Sequence, residues 1–137
     1  MFTEMLASCL VLAAQTYNVP PAVLYGIYKV EGGKIGMANL NTNGSYDLGP
    51  MQINTIWLGE LTKFWRVNER TAIHWLKNDE CTNVGVAAWI LKSHLDETGS
   101  LPKAIAHYHS RTPKIGEAYR KRVVRAMYNE GLLTNGR

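Results

Sequence analysis

Glu31 stands where a structural carboxylate rarely does. The run Pro20-Pro21-Ala22-Val23-Leu24-Tyr25-Gly26-Ile27-Tyr28-Lys29-Val30-Glu31 reads as a helix, with a proline suited to its first turn and Gly32-Gly33 to end it. A carboxylate in the last turn faces the partly negative end of the helix dipole. That position disfavours the charged form by a few tenths to roughly 1 kcal/mol. Lys or Arg is the ordinary occupant. Local rules broken at one point tend to mark functional sites, and a carboxyl inclined to keep its proton near neutral pH suits a general acid. The plain alternative is a solvated glutamate with no special task. Close behind Glu31 lies Asn41-Thr42-Asn43-Gly44-Ser45-Tyr46-Asp47-Leu48-Gly49-Pro50-Met51-Gln52-Ile53-Asn54. This stretch is dense in side chains that bond hydroxyls and amides, and its glycines let backbone approach a ligand closely.

Other reactive types point to little. His74, His94, His107 and His109 lack the i, i+4 spacing of a helical metal site, and 107 and 109 fall on different sides. Two cysteines, Cys9 and Cys81, are too few for a zinc cage. They form either one bridge or two buried thiols, and spacing alone leaves both open. No metal and no cofactor is expected. Trp57, Trp65, Trp75 and Trp89 sit at helix positions and read mostly as core, with Trp57 the candidate to reach a cleft and stack on a ligand. No Gly-rich phosphate loop and no Ser-His-Asp order is present.

The elements that must position these residues are helices. Periodicity predicts them over 3–17, 20–31, 55–64, 68–76, 83–98, 101–109 and from 112 to near 131. Residues 33–50 read as loop, with strand-like character only around the Asn43-Gly44 turn. The expectation is one compact, mostly helical domain over 1–137, with about six to seven helices and an irregular loop or small hairpin directly after Glu31.

Composition agrees with that class. The 137 residues are 46% hydrophobic and 19% charged, which excludes disordered and fibrous chains. Fifteen basic against eleven acidic residues give +4, a mild field that favours anionic polymers or surfaces. Much of the excess lies between Lys114 and Arg125, where Arg120, Lys121 and Arg122 fan around a helix. This reads as a solvated face, and no nucleic-acid partner is expected. Met5 to Ala14 is an apolar run of signal-peptide length, yet Met1 to Glu4 before it carries an acid and no base. It is expected to be an ordinary first helix. No stretch is long and apolar enough to span a membrane.

Three short signatures carry a resemblance. Glu31-Gly32-Gly33, Gly49-Pro50-Met51-Gln52-Ile53-Asn54 and Ala104-Ile105-Ala106-His107-Tyr108, in that order, resemble those of the lysozyme-like lytic transglycosylases. The family runs Glu-Ser-Gly, Gly-Leu-Met-Gln-Ile-Asn and Ala-x-x-x-Tyr-Asn. The Asn-Thr-Asn-Gly-Ser-Tyr-Asp loop and Cys81-Thr82-Asn83-Val84 resemble the small specialised members attached to conjugation, secretion and pilus machines. The likeness spans about residues 5–127.

The resemblance implies a mainly α, lysozyme-like α+β fold and an exported or periplasmic monomer acting on peptidoglycan strands, with components of an envelope-spanning machine as partners. It implies a Cys9–Cys81 bridge, which fits an oxidising compartment. It implies Glu31 as the sole acid/base, cleaving between N-acetylmuramic acid and N-acetylglucosamine to leave a 1,6-anhydro end without water, metal or cofactor. Gln52 and Met51 would line the sugar site with Asn54. Tyr108 would hold substrate near Glu31, and Asn43 or Ser45 would touch it from the loop. Gly32, Pro50 and His109 depart from the family's Ser, Leu and Asn. Tuned rather than lost activity is expected from them.

Asp47 lies 16 residues beyond Glu31. A carboxylate pair across a sugar is the hydrolase arrangement, so a lysozyme-type hydrolase is the second enzymatic reading. A structural role for Asp47, bonding local amides in a turn, is the one favoured on residue type. An inactive module that docks on glycan or on an assembly partner is the non-enzymatic alternative.

Overall fold

The computed structural model describes residues 3–133. Seven helices and a small sheet follow one another: α1 (Glu4–Tyr17), α2 (Pro21–Glu31), β1 (Ala38–Leu40), β2 (Tyr46–Leu48), β3 (Ile53–Asn54), α3 (Leu58–Trp65), α4 (Glu69–Asn78), α5 (Glu80–Thr98), α6 (Leu101–His109) and α7 (Pro113–Asn129). Local chemistry sets the ends. Thr3 caps α1 by accepting from the Leu6 amide at 3.0 Å, and Asn68 caps α4 through Thr71 at 2.8 Å. Pro21 opens α2, and Gly32 closes it at φ +65°, the left-handed backbone that favours glycine.

The long α5 is the spine. Its buried Val84, Ala87, Ala88 and Leu91 lie on a helix packed against α1 and α6, while α2 packs against α7. The α2–α7 crossing is close because residue 26 is glycine. A Cβ there would stand 2.7 Å from Met127 Cγ. Cys9 and Cys81 are joined, tying α1 to the first turn of α5 across 72 residues of chain. Closing a loop of that length stabilises the fold by roughly 4 kcal/mol on the chain-entropy model. Among the described residues no helix is long and apolar enough to cross a membrane.

Three expectations change in detail. The predicted 55–64 helix is a 3-10 turn, Thr55–Trp57, followed by α3. Asn54 caps that turn, accepting from the Ile56 amide at 2.9 Å. The 33–50 loop contains two strands, and β3 joins them in an antiparallel sheet of order β1-β2-β3. Strands of two or three residues are too short for alternation to reveal them. The tryptophans are not core in the full sense. Trp57, Trp65 and Trp89 are half-buried against it, and Trp75 is 37% exposed.

Candidate active site

The sheet stands over the end of α2, and one side chain holds it there. Asn83, fully buried on α5, accepts from the Met51 amide at 2.8 Å and donates to the carbonyls of Leu48 and Leu76, each at 2.8 Å. Both ends of one amide are thereby satisfied inside the protein, as burial requires. The fit admits no extra atoms. A Cβ on Gly49, which lies at φ +70°, would meet Asn83 Nδ2 at 2.4 Å, and one on Gly33 would meet the Gly49 carbonyl at 2.1 Å. The glycine two places after Glu31 is thus the contact that seats the Gly49–Asn54 segment on the helix end.

Gln52 fixes the bend of that segment. Its backbone takes φ +54°, uncommon without glycine. Its side chain holds the bend, with Nε2 donating to the Gly49 carbonyl at 3.0 Å and Oε1 accepting from Asn39 at 2.7 Å. Opposite, α6 brings Tyr108, whose hydroxyl donates to the Met51 carbonyl at 3.0 Å.

These pieces enclose a cleft of about 420 Å³ lined by Glu31, Asn41, Asn43, Ser45, Asp47, Gln52, Ile53, Asn54, Ile56, Trp57, Ile90, Tyr108 and His109. Glu31, Asp47 and five of the six residues expected to bind substrate therefore meet in one place. Met51 does not. Its side chain is fully buried in the core, because its position faces the helices, and it serves the site through its backbone alone. Trp57 does reach the cleft, braced edge-on by Trp89 with ring centroids 5.4 Å apart.

The polar wall is a connected network. Ser45 donates to Asn43 Oδ1 at 2.6 Å, and Asn41 and Asn54 donate to Ser45 Oγ at 3.1 and 3.0 Å. Asn54 also donates to Asp47 Oδ1 at 2.9 Å. Asp47 bonds a nearby amide, as its structural reading expected, but from a strand and not from a turn. It lies within β2, paired with Asn39 on one side and Asn54 on the other, and its carboxylate lines the cleft.

Glu31 has a partner that sequence reading missed. Tyr119, buried on α7, donates its hydroxyl to Glu31 Oε2 at 2.7 Å. Burial is the largest influence on Glu31 and pushes its carboxyl up to about 7. The Tyr119 bond and Arg122 oppose that rise, and the charge of Asp47 adds to it. Burial also raises the phenols of Tyr108 and Tyr119, with Glu31 adding to each, so both are neutral donors at ordinary pH. His109 lies flat on Tyr119, centroids 4.7 Å apart and planes 11° apart, and Arg122 sits 5.6 Å from the Tyr119 ring centre. Partial burial first, then Arg122, lowers the His109 pKa, leaving a neutral ring at pH 7. The basic stretch of α7 is therefore not wholly a solvated face. The signal for Tyr119 was its spacing on the last helix, since the buried positions 116, 119, 123 and 127 form one stripe.

Chemically, the cleft offers one carboxyl poised near neutrality, a second carboxylate, a band of amides and hydroxyls, and one aromatic wall. This is equipment for a neutral, hydroxyl-rich ligand and for proton transfer.

Known proteins place this arrangement. Residues 8–131 match the family model described as "Transglycosylase SLT domain". "Invasion protein IagB" of Salmonella typhimurium is 31% identical over 123 residues, covering 89% of this chain and 74% of that protein. "Protein IpgF" of Shigella flexneri is 31% identical over 107 residues, covering 77% and 67%. The helices, the small sheet and the cleft between them are those of a compact lysozyme-like domain, and the chain belongs to the SLT transglycosylase domain family.

Proposed function

We propose that this chain is a peptidoglycan lytic transglycosylase, with Glu31 as its only acid/base. One observation carries the reading. A carboxyl whose pKa is raised to about 7 lies in a cleft lined with amides and hydroxyls, so near neutral pH it can hold the proton that the first step requires.

In that step Glu31 gives its proton to the oxygen between N-acetylmuramic acid and N-acetylglucosamine, and the bond to the anomeric carbon breaks. The carboxylate then takes the proton of the muramoyl 6-hydroxyl as that oxygen closes on the anomeric carbon. The product is a 1,6-anhydro ring, and Glu31 is again protonated. Atoms balance without water. The Tyr119 hydroxyl holds Oε2 and steadies the carboxylate between the two transfers. Asn43, Ser45, Gln52 and Asn54 offer bonds to sugar substituents, Trp57 offers a stacking face, and Tyr108 braces the Met51 backbone beneath.

The single domain would act as an exported or periplasmic monomer, opening the wall locally for a secretion, conjugation or pilus apparatus. The relative named an invasion protein supports a task of that kind. A lysozyme-type hydrolase is the second reading, favoured by Asp47 lining the same cleft and acting on the charge of Glu31. Mass analysis of products from purified wall separates the two. Anhydro-muropeptides support the proposal, and reducing ends would move the assignment to the hydrolase. An inactive glycan-binding module would leave wall intact while Glu31→Gln kept its affinity.

A further inference from the structure

Next to Trp57, and outside the residues that line the cleft, three ligating side chains converge. His94 and Glu97 lie one turn apart on α5, and His107 reaches them from α6. One ligand atom from each falls within 4.8 Å of the others. The i, i+3 pairing of a histidine and a carboxylate puts both on one helix face, as in helical metal sites. The third ligand comes from another element, so no sequence spacing reveals the group.

A second observation points to a ligand. His107 Nδ1 is buried and has no hydrogen-bond partner among the described residues, and such atoms are rare enough to need a reason. Its ring meets that of His94 edge-on with centroids 5.8 Å apart. His94 is 6% exposed. Of the three, His107 lines a surface cavity of about 710 Å³, together with Arg111.

We propose that His94, Glu97 and His107 bind one divalent transition-metal ion of the zinc class, linking α5 to α6. Two imidazoles and a carboxylate suit zinc or nickel and not magnesium or calcium, which prefer all-oxygen sites. Ligands about 2.1 Å from a tetrahedral ion stand roughly 3.4 Å apart, so the group must contract slightly, which side-chain rotation allows. The competitor is Arg111, which pairs with Glu97 at 2.9 Å. Both side chains are about half exposed or more, and such surface pairs are weak. The ion therefore displaces the guanidinium from Glu97. This metal has no part in the reaction proposed for Glu31. It is a structural link beside the cleft, and His94 touches Trp57 edge-on at 6.3 Å between centroids.

The test is calorimetric titration of the full chain with zinc chloride, with magnesium and calcium chloride as comparisons and cobalt(II) absorption as a report of geometry. The proposal expects one equivalent of zinc, no response to magnesium or calcium, and visible cobalt bands of a low-coordinate nitrogen site. His107→Gln and Glu97→Gln should each weaken zinc by at least ~10-fold, with folding checked by circular dichroism. Arg111→Gln should tighten it by removing the competing cation. Absence of zinc uptake by wild type, or uptake unchanged in both His107→Gln and Glu97→Gln, overturns the site. Wall-cleaving activity is not the readout, so failure here leaves the Glu31 reading untouched.

Discussion

The Tyr119 hydroxyl donates to Glu31 Oε2 across 2.7 Å, joining the end of α2 to the middle of α7 over 88 residues of chain. The bond favours the carboxylate while burial favours the acid. Their balance leaves a carboxyl able both to give a proton and to take one.

Removing the donor tips that balance. Tyr119→Phe should raise the Glu31 pKa further and move the pH–rate profile upward. A hydrogen bond to a charged group is worth about 1.5–3 kcal/mol, so the step that leaves Glu31 as the carboxylate should slow roughly 10- to 100-fold although more molecules hold the proton. The check is a pH series on purified wall. An unmoved profile would assign Tyr119 a packing role only.

Glu31 also weakens the fold at high pH. Its folded pKa is raised from 4.5 to about 7, so the folded state binds its proton more tightly than the unfolded state does. Stability is therefore fully present below about pH 4.5 and is lost progressively as pH rises to about 7. The shift corresponds to at most about 3 kcal/mol. Glu31→Gln should accordingly unfold at higher denaturant than wild type at pH 8, and the two should converge near pH 4. Equilibrium urea unfolding at both pH values measures this.

Much of the site was legible because the informative residues break local rules. Glu31 opposes its helix dipole, and Gly33, Gly49 and Asn83 recur in recognisable short runs. The contacts behind them were not legible. Tyr119 reads as one aromatic in a core stripe until α7 is laid on α2, and His94 meets His107 only when α5 and α6 pair. Met51 shows the opposite failure. Its motif neighbours face the cleft, and nothing local told that its own side chain turns into the core. β3 escaped because two residues carry no periodicity.

Asn83 should be among the costliest positions to change. Asn83→Leu would leave the Met51 amide and two carbonyls without their partner, at about 1–3 kcal/mol for each group left unsatisfied. The Gly49–Asn54 segment should loosen with it. Faster amide exchange at Met51, together with a lowered melting temperature, is the expected result. Unchanged exchange there would show that the segment is held by other contacts.

Gly33→Ala should damage both fold and activity, because its Cβ would press into the Gly49 and Pro50 carbonyls. Backbone there yields poorly, and the cost should be about 1–3 kcal/mol or more. By contrast Gly32→Ser, which restores the family residue, meets no atom within 4 Å but sits at φ +65°. A small stability loss with activity retained is the expectation, from thermal melts and wall-clearing rates.

The most direct test digests purified peptidoglycan with wild type and with Glu31→Gln and weighs the released fragments. Wild type should release 1,6-anhydromuramoyl ends, and a folded Glu31→Gln protein should release nothing. Reducing muramoyl ends from wild type, or undiminished release by Glu31→Gln, would contradict the proposed reaction.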